Sequence, residues 1–173
     1  RETRDCVGCN LSNTNLANAY LHQANLTNAN LSNVNLGNAD LSGAYLSNAN
    51  LRNANLRGAN LSGTNLRNAD LRGTDLRDTK LNDATEIDSK WRIVWEIANQ
   101  PVSNRDLRKA DLEGANLSSL NLSQINLENA NLSGANLSGT NLQNANLSNT
   151  NLSQADLFIA DLANANLTNA NLT

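Results

Sequence analysis

The sequence predicts an all-β solenoid, and three features of its 173 residues carry that prediction. Leucine recurs at every fifth position from Leu11 to Leu81, fifteen times, and again from Leu107 to Leu172, fourteen times. Two places before each leucine stands a small residue, as at Ala19, Ala24, Ala29, Val34, Ala39, Ala115 and Ala130, with Thr14, Thr64, Thr74 and Thr140 in the same slot. The residue just before the leucine is mostly Asn or Asp, and the two after it are polar or glycine.

A period of five matches neither the 3.6 of a helix nor the 2.0 of a flat strand. Leucines so spaced would drift around a helix and leave no apolar face. The unit is therefore one short extended segment plus a corner, and self-similarity at a fixed period marks a solenoid whose neighbouring coils bury one continuous core. The leucine and the small residue point inward, and the other three positions point outward. With one Phe, two Tyr, two Trp and no Met, the chain lacks the residues of an ordinary globular core.

Runs such as Ala49-Asn50-Leu51-Arg52-Asn53, Ala69-Asp70-Leu71-Arg72-Gly73 and Ala130-Asn131-Leu132-Ser133-Gly134 follow Ala-(Asp/Asn)-Leu-x-x. In this the chain resembles the pentapeptide repeat proteins, over residues 9–84 and 105–173. The resemblance implies a right-handed quadrilateral β-helix with four repeats per coil; the period alone does not supply the number four. With coils pairing as strands do, about 7–8 coils at about 4.8 Å each make a rod roughly 35 Å long. Four leucines and four small residues per coil leave a filled core, and small-molecule sites are concave.

The first coil carries Cys6 and Cys9. Counting back from Leu11 puts Cys6 in a leucine slot and Cys9 in a small slot, so both sulfurs face inward. They are either buried thiols or a disulfide closing that end. Half of a zinc site lacks its second ligand pair, and a thioredoxin-like redox site lacks its βαβ context. If oxidised, the pair points to the periplasm or thylakoid lumen rather than the cytoplasm. The chain begins at Arg1 without Met, as a mature form with its leader removed would. No apolar run is long enough to span a membrane.

Leu81 and Leu107 lie 26 apart, so the register breaks between a first repeat block at 1–84 and a second at 105–173, one continuous structural domain with an insertion at 85–104. Within the insertion, Trp91, Val94, Trp95 and Ala98 fall at i, i+3, i+4 and i+7, one apolar stripe of a short helix. Asp88 is placed to cap it and Pro101 to end it. The stripe either docks on the solenoid or binds a partner. The segment Trp91-Arg92-Ile93-Val94-Trp95-Glu96-Ile97 resembles one that splits two repeat blocks in cyanobacterial members of the family.

Charge gathers in the middle. Residues 50–113 hold eleven of the thirteen Lys and Arg and ten of the sixteen acids, and the net charge is −3. Four repeats make twenty residues, so Arg52 stacks under Arg72 and Arg57 under Arg77. Like charges about 5 Å apart repel unless paired, and Asp70, Asp75 and Asp78 are near enough in sequence to pair them. The belt is either self-neutralised or a site for an anion or acidic partner. Tyr20, His22, Tyr45, Phe158 and Ile159 point outward.

These readings favour a non-enzymatic scaffold that binds a protein partner, with Arg52, Arg57, Arg72, Arg77, Trp91 and Trp95 as the candidate surface. The alternative is a DNA mimic acting on DNA gyrase, as some members of the family do, although the outward slots hold too few acids for a phosphate-like array. No nucleophile, base and cavity occur together, so no catalytic, metal or cofactor site is expected. Strong nucleic-acid binding and membrane insertion are not expected either. An uncapped solenoid end invites pairing, so end-to-end homodimerisation is expected.

Overall fold

The structure is a computed structural model and describes residues 5–100 and 106–173; Pro101 and Arg105 lie outside them. The chain forms two compact units, Arg1–Trp95 and Glu96–Thr173.

In the first unit every repeat contributes one bridge residue, paired in parallel with the residue twenty positions on: Asp5 with Asn25, Asn30 with Asn50, Asn60 with Lys80. Twenty residues are four repeats of five, so four repeats close each coil. Pairing stays at single bridges and does not extend into continuous strands. The reason is the backbone hydrogen bonding of the repeat, which leaves room for nothing longer. Taking Leu31 as the reference, its N–H reaches up to the Asn50 carbonyl at 2.7 Å, while the Asn30 N–H reaches down to the Cys9 carbonyl at 2.8 Å. The next N–H, of Ser32, turns back onto Oδ1 of Asn30 at 3.2 Å. That of Asn33 reaches Arg52 O at 2.8 Å, and that of Val34 closes a turn onto Leu31 O at 3.2 Å. All five N–H groups of a repeat are thereby satisfied.

This pattern explains the consensus. Asn and Asp serve equally before the leucine because the oxygen they share, Oδ1, receives the N–H two residues later. The third residue of each turn sits in the left-handed region, at φ 58° for Asn13 and 57° for Asn38, as a type II turn demands. Asn and Gly are the residues that enter that region most readily.

The core of this unit is leucine and alanine, with Leu31, Leu36, Leu41, Leu46, Leu51 and Leu56 all fully buried. Threonines in the small slot stay dry by donating to a leucine carbonyl: Thr64 Oγ1 to Leu41 O at 2.8 Å and Thr74 Oγ1 to Leu51 O at 2.7 Å.

Bridging continues past residue 84, with a slip. Asn60 still meets Lys80, but Asn65 meets Glu86, one residue later than the period requires. The extra residue lies in Asn82–Thr85, where Thr85 becomes the buried small residue and donates to Leu61 O at 2.9 Å. The helix α1 follows at Ser89–Asn99. Its buried positions are Trp91, Val94 and Ile97, so Ile97 rather than Ala98 completes the stripe. Its side chains reach backbone groups of the last coil of the first unit. Trp95 Nε1 donates to Thr79 O at 3.1 Å, and Arg92 Nη2 donates to Thr85 O at 2.9 Å. The turn N–H groups there find side-chain oxygens where the coils below offer carbonyls: Gly63 N donates to Asn82 Oδ1 at 2.8 Å and Asn68 N to Asp88 Oδ1 at 3.4 Å. Residues 82–95, which include the first turns of α1, thus cap this edge.

The second unit repeats the scheme. Parallel bridges run from Asp106–Asn126 to Asn151–Asn171. Leu112 through Leu147 fill its core in the leucine slots, with Ile125 in a small slot. Thr140 and Thr150 donate to Leu117 O and Leu127 O at 2.8 and 2.9 Å.

Two outcomes follow for stability. Leu46→Ala costs about 2–5 kcal/mol in denaturant unfolding, because a packed core collapses poorly around a lost isobutyl group. Thr74→Val costs about 1 kcal/mol, because the Leu51 carbonyl keeps the Ala54 N–H at 3.0 Å when the hydroxyl goes. Equal losses for the two would contradict this account of the core. Trp95→Phe keeps most of the ring and deletes the donor to Thr79 O, and lowers stability by about 1–3 kcal/mol. An unchanged denaturation midpoint would show that the indole does not cap the edge.

Candidate interaction surface

The arginines expected to form the surface all stand just after a core leucine, on positions that the repeat turns outward. Their bridge residues stack twenty apart, Asn50 under Asp70 and Asn55 under Asp75, which places Arg52 below Arg72 and Arg57 below Arg77. Repulsion within these rows is relieved by carboxylates in two ways. The stronger is local. In Asp70-Leu71-Arg72 and Asp75-Leu76-Arg77 the acid and the base flank one buried leucine, and their side chains meet as bidentate forks. Arg72 Nε and Nη2 lie 2.8 and 2.5 Å from the oxygens of Asp70, and those of Arg77 lie 2.8 and 2.6 Å from the oxygens of Asp75. The weaker way runs between coils: Arg57 Nε donates to Asp78 at 2.9 Å, Arg67 lies 3.3 Å from Glu86, and Arg52 stands 3.9 Å from Asp70.

The Arg72 hydrogen bonds hold the Asp70 carboxyl below its ordinary range. For Asp75 burial pushes upward, but the Arg77 hydrogen bonds outweigh it and the carboxyl again lies low, while the same bonds raise the Arg77 guanidinium. Both acids are therefore ionised at neutral pH. A guanidinium has five donors in one plane. A fork with its own Asp uses two of them and fixes the plane. Glycines keep the neighbouring turns low: a Cβ on Gly58 or Gly73 would collide with Oδ1 of Asn38 or Asn53.

The tryptophans are engaged elsewhere. Trp91 is 6% exposed with the Lys90 ammonium 5.1 Å from its ring, and Trp95 is half-buried with its indole on Thr79 O. Cys6 and Cys9 are joined as a disulfide, their Cα atoms 5.2 Å apart, at the first coil.

The first unit also holds a small polar grouping. His22 Nδ1 lies 2.8 Å from Ser42 Oγ, and Ser42 Oγ donates to Asp40 Oδ1 at 2.6 Å. The Ser42 hydroxyl thus stands between the Asp40 carboxylate and the His22 imidazole. In the second unit Asp106, Arg108, Lys109, Glu128 and Asn129 line a surface depression of about 500 Å³, in which Arg108 is forked onto Asp106 at 2.6 Å. Among the described residues no cluster of His, Cys, Asp or Glu could hold a metal, and no helix is long and apolar enough to cross a membrane.

The forks make stability depend on acid. A carboxylate whose folded value is depressed contributes above its unfolded value and loses that contribution as pH falls through the folded one. Wild type is therefore more stable than Asp75→Asn at pH 7, by about 1–3 kcal/mol for hydrogen bonds to a charged, largely buried group. The gap closes as pH falls below about 4, the unfolded carboxylate value. A gap independent of pH in thermal melts would assign the loss to packing instead.

The chain matches the family described as Pentapeptide repeats, in eight copies over residues 5–43, 44–83, 103–134 and 135–173. No match is found among curated proteins. Among solved structures, Rfr23, a pentapeptide repeat protein from the cyanobacterium Cyanothece 51142, is 26% identical over 98% of this chain and 92% of its own, with a TM-score of 0.33. HetL, a pentapeptide repeat protein involved in heterocyst differentiation regulation in the cyanobacterium Nostoc sp. strain PCC 7120, is 32% identical over 95% of this chain and 87% of its own, with a TM-score of 0.33. A pentapeptide repeat protein of the Arabidopsis thaliana thylakoid lumen is 21% identical over 87% of this chain and 66% of its own, at a TM-score of 0.22. Superpositions this loose add nothing to the fold described above. The repeats themselves, matched over most of the sequence and closed four to a coil by side-chain-capped bridges, make this chain a member of the pentapeptide repeat family.

Proposed function

We propose that the protein is a non-enzymatic scaffold that binds an acidic protein partner on the arginine rows of its first unit. The observation that carries this reading is the pair of forks Asp70–Arg72 and Asp75–Arg77. Interfaces favour arginine whose plane is fixed before binding, because less freedom is lost when the partner arrives. Each fork supplies that fixation, and the repeat sets successive guanidiniums one coil apart. Recognition rests on matched hydrogen bonds and not on a strong positive field, since nearly every cation in the rows has an acid beside it. Family members are generally scaffolds, and the leucine-filled coils offer a small substrate no interior cleft.

We further infer that each unit winds as a right-handed quadrilateral β-helix. Four repeats per coil support this, as does the strong preference of parallel crossovers for the right hand. The Cys6–Cys9 disulfide supports an oxidising compartment, the periplasm or thylakoid lumen. In this reading Trp91 and Trp95 hold the edge of the first unit while the arginines face the partner.

The test is capture from a cyanobacterial lysate by the oxidised protein, beside a variant with Arg52, Arg57, Arg72 and Arg77 all changed to Ala whose fold is verified by circular dichroism. A protein retained by wild type and at least about tenfold weaker on the variant, a difference of about 1.4 kcal/mol, supports the rows. Equal retention moves the site off them. No retained protein, together with inhibition of gyrase supercoiling, would replace the scaffold by a DNA mimic.

A further inference from the structure

One corner of the second unit breaks the rule that every other corner obeys. Outside glycine, the left-handed turn positions are filled by Asn, Gln, Asp, Ser or Lys, except at Ile159, with φ 51°. A β-branched side chain there crowds the following carbonyl, and no other β-branched residue takes the position among the described residues. Burial does not repay the strain. Ile159 is 75% exposed, and Phe158 beside it is 68% exposed. In the coils beneath, the same two places hold Ser118 and Ser119, then Ser138 and Gly139. Gly139 leaves the backbone open under the isoleucine, whose Cγ1 and Cδ1 stand 3.9 Å from where a Cβ on Gly139 would be. An exposed apolar pair, one member of it at a strained backbone position, marks a contact site.

The surroundings define that something by charge. Asp156 and Asp161 flank the pair in sequence, and from residue 129 to residue 173 they are the only charged side chains. Each uses its Oδ1 in its own turn, on the N–H of Phe158 at 2.9 Å and of Ala163 at 3.0 Å. Asp161 also accepts from Gln143 at 2.6 Å, and hydrogen bonding from Ala163 and Gln143 holds its carboxyl below the ordinary range, so it stays charged. An apolar pair flanked in sequence by two carboxylates, in a stretch from residue 129 to 173 that holds no cation, is complementary to an apolar stripe edged with lysine or arginine. It is poorly suited to an anionic lipid surface.

We propose that the Phe158–Ile159 corner is an anchor for a cationic amphipathic helix of a protein partner. The site lies wholly in the second unit and stands without the arginine rows of the first.

The experiment titrates the full chain into a fluorescein-labelled amphipathic helix of Leu and Lys, beside a Leu and Glu helix of the same pattern, and follows anisotropy at low salt. The proteins are wild type, Phe158→Ser/Ile159→Asn, which restores the residue types of neighbouring corners, and Ile159→Asn alone. Wild type binds the Leu/Lys helix at least tenfold more tightly than the double variant does, and more tightly than it binds the Leu/Glu helix. Ile159→Asn melts about 2–4 °C higher than wild type, the shift that roughly 1 kcal/mol makes in a chain of this size. Equal affinity of wild type and double variant, or no binding of the Leu/Lys helix, would overturn the proposal. So would an Ile159→Asn midpoint at or below that of wild type, since the strain argument would then fail. Phe158-dependent flotation with anionic vesicles would assign the corner to membranes instead, and Phe158-dependent dimers in light scattering would assign it to a second copy.

Discussion

Most repeats of this fold share one hydrogen bond that the backbone cannot make for itself. A five-residue repeat that turns a corner has five N–H groups and two kinds of backbone partner, the coil above or below and its own turn. Those satisfy four. The fifth, on the residue after the leucine, would be left half-buried and unpaired at a cost of about 1–3 kcal/mol in every repeat. In most repeats the side-chain oxygen of the preceding Asn or Asp takes it, as Asn30 does for Ser32 and Asp75 for Arg77; Tyr20 and Tyr45 hold this place in two repeats and lack that oxygen, and those repeats keep the same bridges and turns. With that bond supporting most corners, the chain turns every five residues, the leucine faces inward each time, and coils pair through single bridges without forming strands. The same Asn side chains then bond one another up the stack, Asn35 to Asn15 and Asn55 to Asn35 at 3.0 Å.

The cost of such regularity appears wherever the repeat stops. A coil with no successor leaves its upward carbonyls and turn N–H groups without the partners that coils below enjoy. At the last coil of the first unit the sequence leaves the repeat and supplies side chains with the missing chemistry: an indole and a guanidinium as donors, an amide and a carboxylate as acceptors. This is why Trp95 and Arg92 stand in α1, which contains almost no repeat character of its own.

Much of the core was readable from spacing, because inward and outward positions differ in polarity as strongly as residues can. The closing of four repeats into one coil was not, since period five fixes the unit and not the number of units per turn; the family resemblance supplied it, and the bridges show it. The role of Asn and Asp was missed, although their interchange before the leucine was visible and Oδ1 is what they share. The last coil of the first unit was missed too, because a single added residue moved its small slot to Thr85 and its bridge to Glu86 and left no leucine to mark them. In α1 the periodic reading took Ala98 where Ile97 is the buried residue, a shift of one place that a short helix does not resolve. Stacking of Arg52 with Arg72 was foreseen as a repulsion between coils. Its strongest relief is local, because two outward positions separated by one inward leucine point the same way and bring Asp70 onto Arg72.

A fold that satisfies its backbone and its core with three positions of five leaves the two turn positions nearly free of structural duty. They can hold anything that tolerates exposure at the first and a left-handed backbone at the second. Most carry Ser, Asn, Gly or Arg, which meet those demands cheaply. Departures from them are therefore informative in proportion to what they cost. An arginine at the first position costs little, so only its ordering against a neighbouring Asp raises it above a solubilising charge. An isoleucine at the second is strained and exposed, and a repeat that holds Asn or Gly at most equivalent corners had a better residue available. Stability alone would have favoured that residue, and a contact made by the corner is what the anchor proposed for Phe158 and Ile159 supplies.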